Sequence, residues 1–380
     1  MQKIIYFDNA STTPVDVSVV KLISQVMKDN YGNYDSLHQL GVKSHDAVEK
    51  ARKEFAKLIH AQPNQIIFTS GASESNNIAI KGAAYSSKKK TLITSAIEHS
   101  SVHETFLQLK EQGYNTIFLR VNKEGLVDIK ELEDKIDEDT FLVSIIHANN
   151  EIGSIQDIKK IGEICKNKGI LFHTDATQSF TKIPLDVNKL NIDLLSVSAH
   201  KFHGPKGVGA LFVRDSKKLT KLLGGGSVEN DLRPGTIDTP SIIGMVHAAK
   251  NQKHSKIKKI RDHIVKRILK EIPNSYLNGP KDPKNKLDNI ANIRFDYVEG
   301  EAILFRLNDH GICISTGSAC SSKNLKPSKV LLALGLKPEQ AHGSIRISLS
   351  KYNTMKEADY FVDKLKLVIK DLKKISSIGG

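Results

Sequence analysis

Between Gln65 and Arg214, short and almost continuously apolar runs recur: QIIFTS, TLITS, TIFLRV, TFLVSIIHA, ILFHTDA, IDLLSVSAH and GALFVR. Near-continuous apolar runs of this length suit strands covered on both faces. Between several of them the apolar period lengthens to three and four residues, over Ser73 to Tyr85, His99 to Gln112 and Ile155 to Lys168, which predicts helices. This alternation predicts an α/β fold built on a mostly parallel sheet, with the seven runs as its strands. The last two runs are joined by the short turn HGPKG, which predicts one antiparallel excursion.

Further along, Ile257, Ile260, Ile264, Ile268 and Ile272 fall at helical spacing, so the stretch from Asn251 to Ile272 reads as one amphipathic helix. After it the character changes. LNGPKDPKNKLDN is a connection, followed by ANIRFDYV, a helix from Glu299 to Asn308, GICIST, SIRISLS and a terminal helix from about Met355 to Leu372. These shorter elements predict a smaller α+β unit. A chain of 380 residues has room for both.

Composition narrows the function classes. With 39% apolar and 26% charged residues the chain is ordinary for a globular protein. The opening MQKIIYFDNASTTP lacks a signal-peptide pattern, and no apolar run approaches the ~20 residues of a membrane span, so a cytoplasmic protein is expected. The net charge of +14 is concentrated in Lys88-Lys89-Lys90 and in the Asn251–Ile272 stretch, where the lysines form the solvated face of the helix. No zinc-ligand spacing or RNA-binding signature accompanies the charge, so neither a metal site nor direct nucleic-acid binding is expected. Three cysteines without a CxxC do not make a disulfide framework. Cys165 sits on the apolar side of a helix and Cys313 in an alternating strand, both packing positions. Cys320, in STGSACSSKN, stands among small and polar residues that read as a flexible loop, where a thiol is accessible enough to react.

Ligands of open α/β sheets bind beyond the carboxyl ends of the strands, and four such ends here carry reactive residues. After QIIFTS, a turn at Gly71 leads into a helix near Ser73, whose N-terminus is suited to a phosphate, although Ser and Gly there also serve as plain caps. Asp175 closes one buried strand and Lys201 directly follows another. The two could form a salt bridge. Alternatively, a cofactor with an aldehyde and a protonated pyridine ring would engage both, the amine bonding the aldehyde and the carboxylate pairing with the ring N–H. His99, after TLITSAIEH, could stack on a planar group, and Ser198 and His200 flank Lys201 with hydrogen donors for the same phosphate. SIIHANNEIG brings Asn149 and Asn150 to the fourth end. Arg346, inside the strand SIRISLS, needs an anion, and its planar fork fits an amino-acid carboxylate.

In these motifs the chain resembles the NifS/IscS-like cysteine desulfurases, in the class V aminotransferase group of fold-type I pyridoxal-phosphate enzymes. TSGASESNN, EHSSV, HANNEIG, DATQS, SAHKFHGPKG, RPGT and STGSACSS occur in the family's order and at its approximate spacing across nearly the whole chain. The resemblance implies a large pyridoxal-phosphate-binding domain over 15–252 and a small domain from 1–14 and 253–380. It implies that Lys201 bonds pyridoxal 5'-phosphate, Asp175 pairs with the ring nitrogen, Gln178 bonds the phenolic oxygen, and His99 stacks on the ring and relays protons. Ala72, Ser73, Ser198 and His200 would hold the phosphate, joined by Thr236 from the neighbouring subunit of a homodimer. Asn150 would contact cofactor and substrate, and with Arg346 would hold the carboxylate of L-cysteine. Cys320 would accept sulfur as a persulfide, leaving L-alanine, and deliver it to acceptor proteins such as an iron–sulfur scaffold. No resident metal is implied, only transient ligation of a nascent iron–sulfur cluster by Cys320.

Three departures stand out. Leu223 precedes Gly224-Gly225-Gly226 where HGGG is common, serine replaces threonine in TSGASE, and the chain stops at Gly380 where longer members carry a scaffold-docking tail. Selenocysteine lysis or class V transamination on the same scaffold are the competing reactions, and a cofactor-free basic adaptor the competing class. Iron–sulfur assembly, tRNA thiolation and thio-cofactor synthesis are all open destinations for the sulfur.

Overall fold

The computed structural model describes residues 4–252, 256–316 and 326–375. Its central sheet has seven strands in the order Ile66–Thr69, Gly209–Val213, Leu194–Ser198, Leu171–Asp175, Thr140–Ser144, Thr91–Ser95 and Asn115–Leu119. The neighbours from Leu194–Ser198 to Asn115–Leu119 run parallel. Gly209–Val213, entered through the HGPKG turn, is antiparallel to both of its neighbours. All seven apolar runs are therefore strands of one sheet, with the single antiparallel excursion where the turn predicts it.

The apolar runs lack alternation because both faces are covered. Ile93, Val143, Phe172 and Leu195 pack on one side with Val48, Phe55, Ile161 and Cys165 of the helices Gln39–Leu58 and Ile158–Lys168. Leu92, Leu142, Leu194 and Leu211 pack on the other with Ile78, Val102 and Phe106 of Ala72–Ser86 and Ser100–Glu111. Cys165 is fully buried, and burial pushes its thiol up to about 12, so it stays an inert packing group. The helices Val17–Asp29 and Gln39–Leu58, for which the apolar pattern carries no expectation, pack against Thr239–Lys250.

A second, antiparallel sheet orders Ser315–Thr316, Ser344–Ser348, Ile290–Phe295 and Ser275–Asn278. Its core joins Ile293, Ile345 and Ile347 to Ile264, Ile303 and Phe361 of the helices Ile257–Glu271, Gly300–Asp309 and Met355–Ile375. Lys258, Lys259, Lys266 and Lys270 lie exposed on the outer face of the first of these helices.

Two expectations are corrected. The amphipathic helix starts at Ile257, not Asn251, because Asn251 caps the preceding helix Thr239–Lys250. GICIST is two strands rather than one: Ile312–Cys313 pairs in parallel with Ile5–Tyr6, while Ser315–Thr316 pairs with Ser344–Ser348. Alternation reports extended backbone, but the partner strands that divide it come from both ends of the chain. Among the described residues no helix is long and apolar enough to cross a membrane.

Candidate active site

The segments that follow five strand ends converge on one cavity of about 790 Å³, which Arg346 of the second sheet and the Ala10–Thr12 segment also line. Ala72, Ser73, His99, Asn150, Asp175, Gln178, Ser198, His200, Lys201 and Arg346 all line it. Of the sequence-derived candidates, Thr236 is exposed outside this cavity, and Cys320 lies outside the described residues. Asn149 is fully buried and structural. Its side chain donates to the Ile97 carbonyl and accepts from the N–H groups of Glu151 and Ile152.

At one end of the cavity, Gly71 precedes the helix Ala72–Ser86 with φ +150°, a conformation essentially restricted to glycine. The helix has no side-chain cap, so its first N–H groups and its dipole present a positive end to the cavity. A Cβ on Gly209 would sit 2.5 Å from the Val197 carbonyl oxygen and 2.7 Å from the Gly71 Cα, so this strand can lie under the turn only as glycine. His200 stands nearby with Nδ1 3.1 Å from the Thr12 hydroxyl. Burial, aided by the charges of Lys201 and Lys206, pushes its imidazole down to about 4, leaving it neutral.

Asp175 and Lys201 come from adjacent parallel strands and the turn after one of them. Asp175 is 3% exposed; Oδ2 accepts from the Asn76 amide at 2.9 Å and Oδ1 from the Thr177 N–H at 2.9 Å. Those bonds fix the plane of a buried carboxylate that the sequence could only place at a strand end. Lys201 Nζ donates to the carbonyls of Ala10 and Ser11, both at 2.7 Å. The Ala10 carbonyl also accepts from Gln178 Nε2 at 2.8 Å, which orients the Gln178 amide.

Arg346 already has an anion. Its guanidinium donates to Asp8 Oδ1 at 2.8 Å, the Ser11 hydroxyl at 2.6 Å and the Asn150 carbonyl at 3.0 Å, while its buried Nε has no partner among the described residues. Asp8 holds the guanidinium in orientation and part of its donor fork remains for a ligand. Sequence reasoning missed Asp8, although its place in YFDNAST was the available signal.

Two further carboxyl groups were also missed. Glu151 Oε2 accepts from Ser328 at 2.5 Å, and burial pushes its carboxyl up to about 7 against the opposing pull of that bond and of Arg346. Glu98 Oε1 accepts from Ser95 at 2.5 Å and from the Ile146 N–H at 2.9 Å, while Oε2 is buried without a partner among the described residues. Burial lifts Glu98 to about 8, far above its ordinary 4.5. Between those two values the native protein keeps a proton that the unfolded chain has released, so this contribution is full at acid pH and declines as pH rises to about 8. Glu98→Gln is expected to flatten that decline. Denaturation midpoints taken from acid to alkaline pH check it, and an unchanged slope would remove Glu98 as its source.

The exposed segment that bears Thr236 is anchored through two residues that precede it. Arg233 pairs with Glu74 at 3.3 Å, and buried Glu229 makes a bidentate pair with Arg52 at 2.7 and 2.8 Å.

The chain matches the family model described as aminotransferase class-V over residues 5–361. It is 44% identical to "Cysteine desulfurase IscS" of Dictyoglomus turgidum, over 99% of this chain and 97% of that protein. It is 43% identical to the human "Cysteine desulfurase", over 98% of this chain and 83% of that protein. Among solved structures, one titled "NIFS-LIKE PROTEIN" superposes with a TM-score of 0.89 at 36% identity, covering 97% of this chain and all (100%) of the other. Another, titled "SspA in complex with cysteine", superposes with a TM-score of 0.83 at 37% identity, covering 92% of this chain and 100% of the other.

Proposed function

From the premise that this chain belongs to the class-V aminotransferase family and is a cysteine desulfurase of fold type I, we propose that it holds pyridoxal 5'-phosphate in this cavity and carries sulfur from L-cysteine on Cys320. The observation that carries the reading is the convergence, in one cavity, of an uncapped helix N-terminus, an oriented buried carboxylate and a lysine.

These groups fit the cofactor. The N–H groups of Ala72 and Ser73, with Ser198 and His200, suit its phosphate. Asp175 suits the ring N–H, the Gln178 amide the phenolic oxygen, and His99 and Asn150 the ring's surroundings. When bound, pyridoxal phosphate supplies an aldehyde for amines and a ring that accepts the electrons of the Cα–H bond.

The chain's own groups do the rest. Arg346, steadied by Asp8, and Asn150 hold the substrate carboxylate. Lys201 takes and returns the Cα proton. The Cys320 thiolate attacks the substrate sulfur, so that one S–S bond forms and one C–S bond breaks. L-cysteine and a thiol become L-alanine and a persulfide, which an acceptor protein such as an iron–sulfur scaffold consumes in the cytoplasm.

The working form is a homodimer. Val17, Val20 and Met27 are exposed on one helix, and Tyr31 and Leu37 on the stretch that leads from it to the next, apolar positions suited to a second copy. In that dimer Thr236 of the partner subunit completes the phosphate site. The test is product analysis with L-cysteine and a thiol reductant, where equimolar alanine and sulfide are expected. A keto acid without sulfide would point instead to transamination.

A further inference from the structure

A chain of hydrogen bonds in the cavity wall runs from the Asp175 carboxylate to the His99 ring. The Asn76 amide, fully buried on the first turns of Ala72–Ser86, donates to Asp175 Oδ2 at 2.9 Å and to the Ser101 hydroxyl at 2.8 Å. The opposite amide orientation would turn its oxygen against the carboxylate, so the direction of donation is set. The Ser101 hydroxyl lies 2.8 Å from His99 Nδ1, and the Ser101 backbone N–H donates to the same nitrogen at 3.2 Å. A backbone N–H can only donate. Nδ1 is therefore the unprotonated nitrogen, His99 caps the helix Ser100–Glu111 through it, and the proton of the neutral ring is on Nε2.

We propose that Asn76 and Ser101 are positioning residues that lock His99 as the neutral Nε2–H tautomer, so that it meets the substrate as a hydrogen-bond donor and takes up no proton during turnover. Placing a proton on Nδ1 would set N–H against N–H and break the helix cap. The partial positive charge of the helix N-terminus opposes it further. The surrounding charges agree in balance. Burial holds the imidazole below its ordinary value; Asp175 pulls upward and Lys201 downward, while His200 is neutral and His103, one turn further along the helix, is also held below its ordinary value by burial. A neutral imidazole at a helix N-terminus serves as such an electrophilic donor in other enzymes, where it steadies developing negative charge without proton transfer. The substrate sulfur, as its bond to carbon breaks, is the group on which such charge develops here.

This inference rests on His99 lining the substrate cavity as proposed above, and the experiment separates the two. Holoenzyme carrying ¹⁵N-labelled histidine is compared with His99→Gln, whose missing signals identify the ring. The wild-type ring is expected to show a lone pair on Nδ1 and a proton on Nε2, unchanged from mildly acid to alkaline pH. Ser101→Ala, which keeps the backbone donor but cuts the relay, is expected to raise the ring's titration above that of the wild type, with Ser101→Thr restoring the locked state. A proton on Nδ1 at neutral pH, or identical titration in wild type and Ser101→Ala, would overturn the proposal. Alanine formation by His99→Gln tests the underlying reading: a fall on the order of 100-fold is expected for a lost donor, and an undiminished rate would remove His99 from the reaction whatever its tautomer.

Discussion

Lys201→Ala is expected to lower alanine formation by at least about 10³-fold, the scale of a lost proton-transferring group, and to abolish covalent attachment of the cofactor. Lys201 is the amine that follows the strand Leu194–Ser198, held by the Ala10 and Ser11 carbonyls on the cavity wall. Both acceptors are neutral, so alanine at this position leaves two carbonyls to be satisfied by water, a modest loss for the fold. The catalytic loss is of a different size because, among the described lining residues, no other lysine directly follows the strand beside Asp175. Borohydride fixation and peptide mapping check the attachment. A cofactor still fixed to the Lys201→Ala protein would reassign the reactive lysine. Lys206, Lys326 and Lys329 line the same cavity and would be the next to examine.

Cys320→Ala is expected to separate the two halves of the reaction. Cofactor attachment and substrate binding should persist, since none of the residues proposed for them is altered. Sulfide release should fall by about 100-fold or more, as for removal of a covalent nucleophile. Mass spectrometry after exposure to L-cysteine should show an added sulfur on the wild-type peptide that contains Cys320 and none on the variant. The other cysteines make poor substitutes: Cys165 is buried with its thiol held in the protonated form, and burial and Asp8 also push Cys313 upward, away from the reactive thiolate. An added sulfur on Cys313 would overturn the assignment.

The His99 inference changes how the site divides its labour. Proton transfer then rests with Lys201, while His99 supplies a fixed dipole. A fixed dipole needs no reorganisation as charge develops, whereas a titrating ring would have to be in the correct protonation state at each turnover. The buried acids Glu98 and Glu151 extend the same logic. Glu98 is largely protonated in the native protein at neutral pH and Glu151 becomes so below it, so the wall behind the substrate adds less negative charge than two ordinary carboxylates would to a cavity that must accept a carboxylate.

The strands were legible because burial on both faces leaves a local trace, an apolar run of the right length. Asp175 and Lys201 were legible for the same reason, as polar residues where such runs stop. Asn76 was in a quoted motif and yet silent. Its meaning depends on Ser101 and Asp175, brought to it by the helix crossing and by the strand order. Asp8 became the counter-ion of Arg346 across nearly the whole chain, and GICIST divided between two sheets because its partners lie near opposite termini.

By itself, then, the sequence determined the seven strands of the central sheet, its antiparallel excursion and the chemical inventory at the strand ends, because periodicity and apolar length record how each segment meets water. Only the tertiary structure decided which donor faces which acceptor: the plane of the Asp175 carboxylate, the counter-ion of Arg346 and the tautomer of His99. Hydrogen bonds act over about 3 Å between groups far apart in the chain, and that proximity exists only once the sheet has assembled.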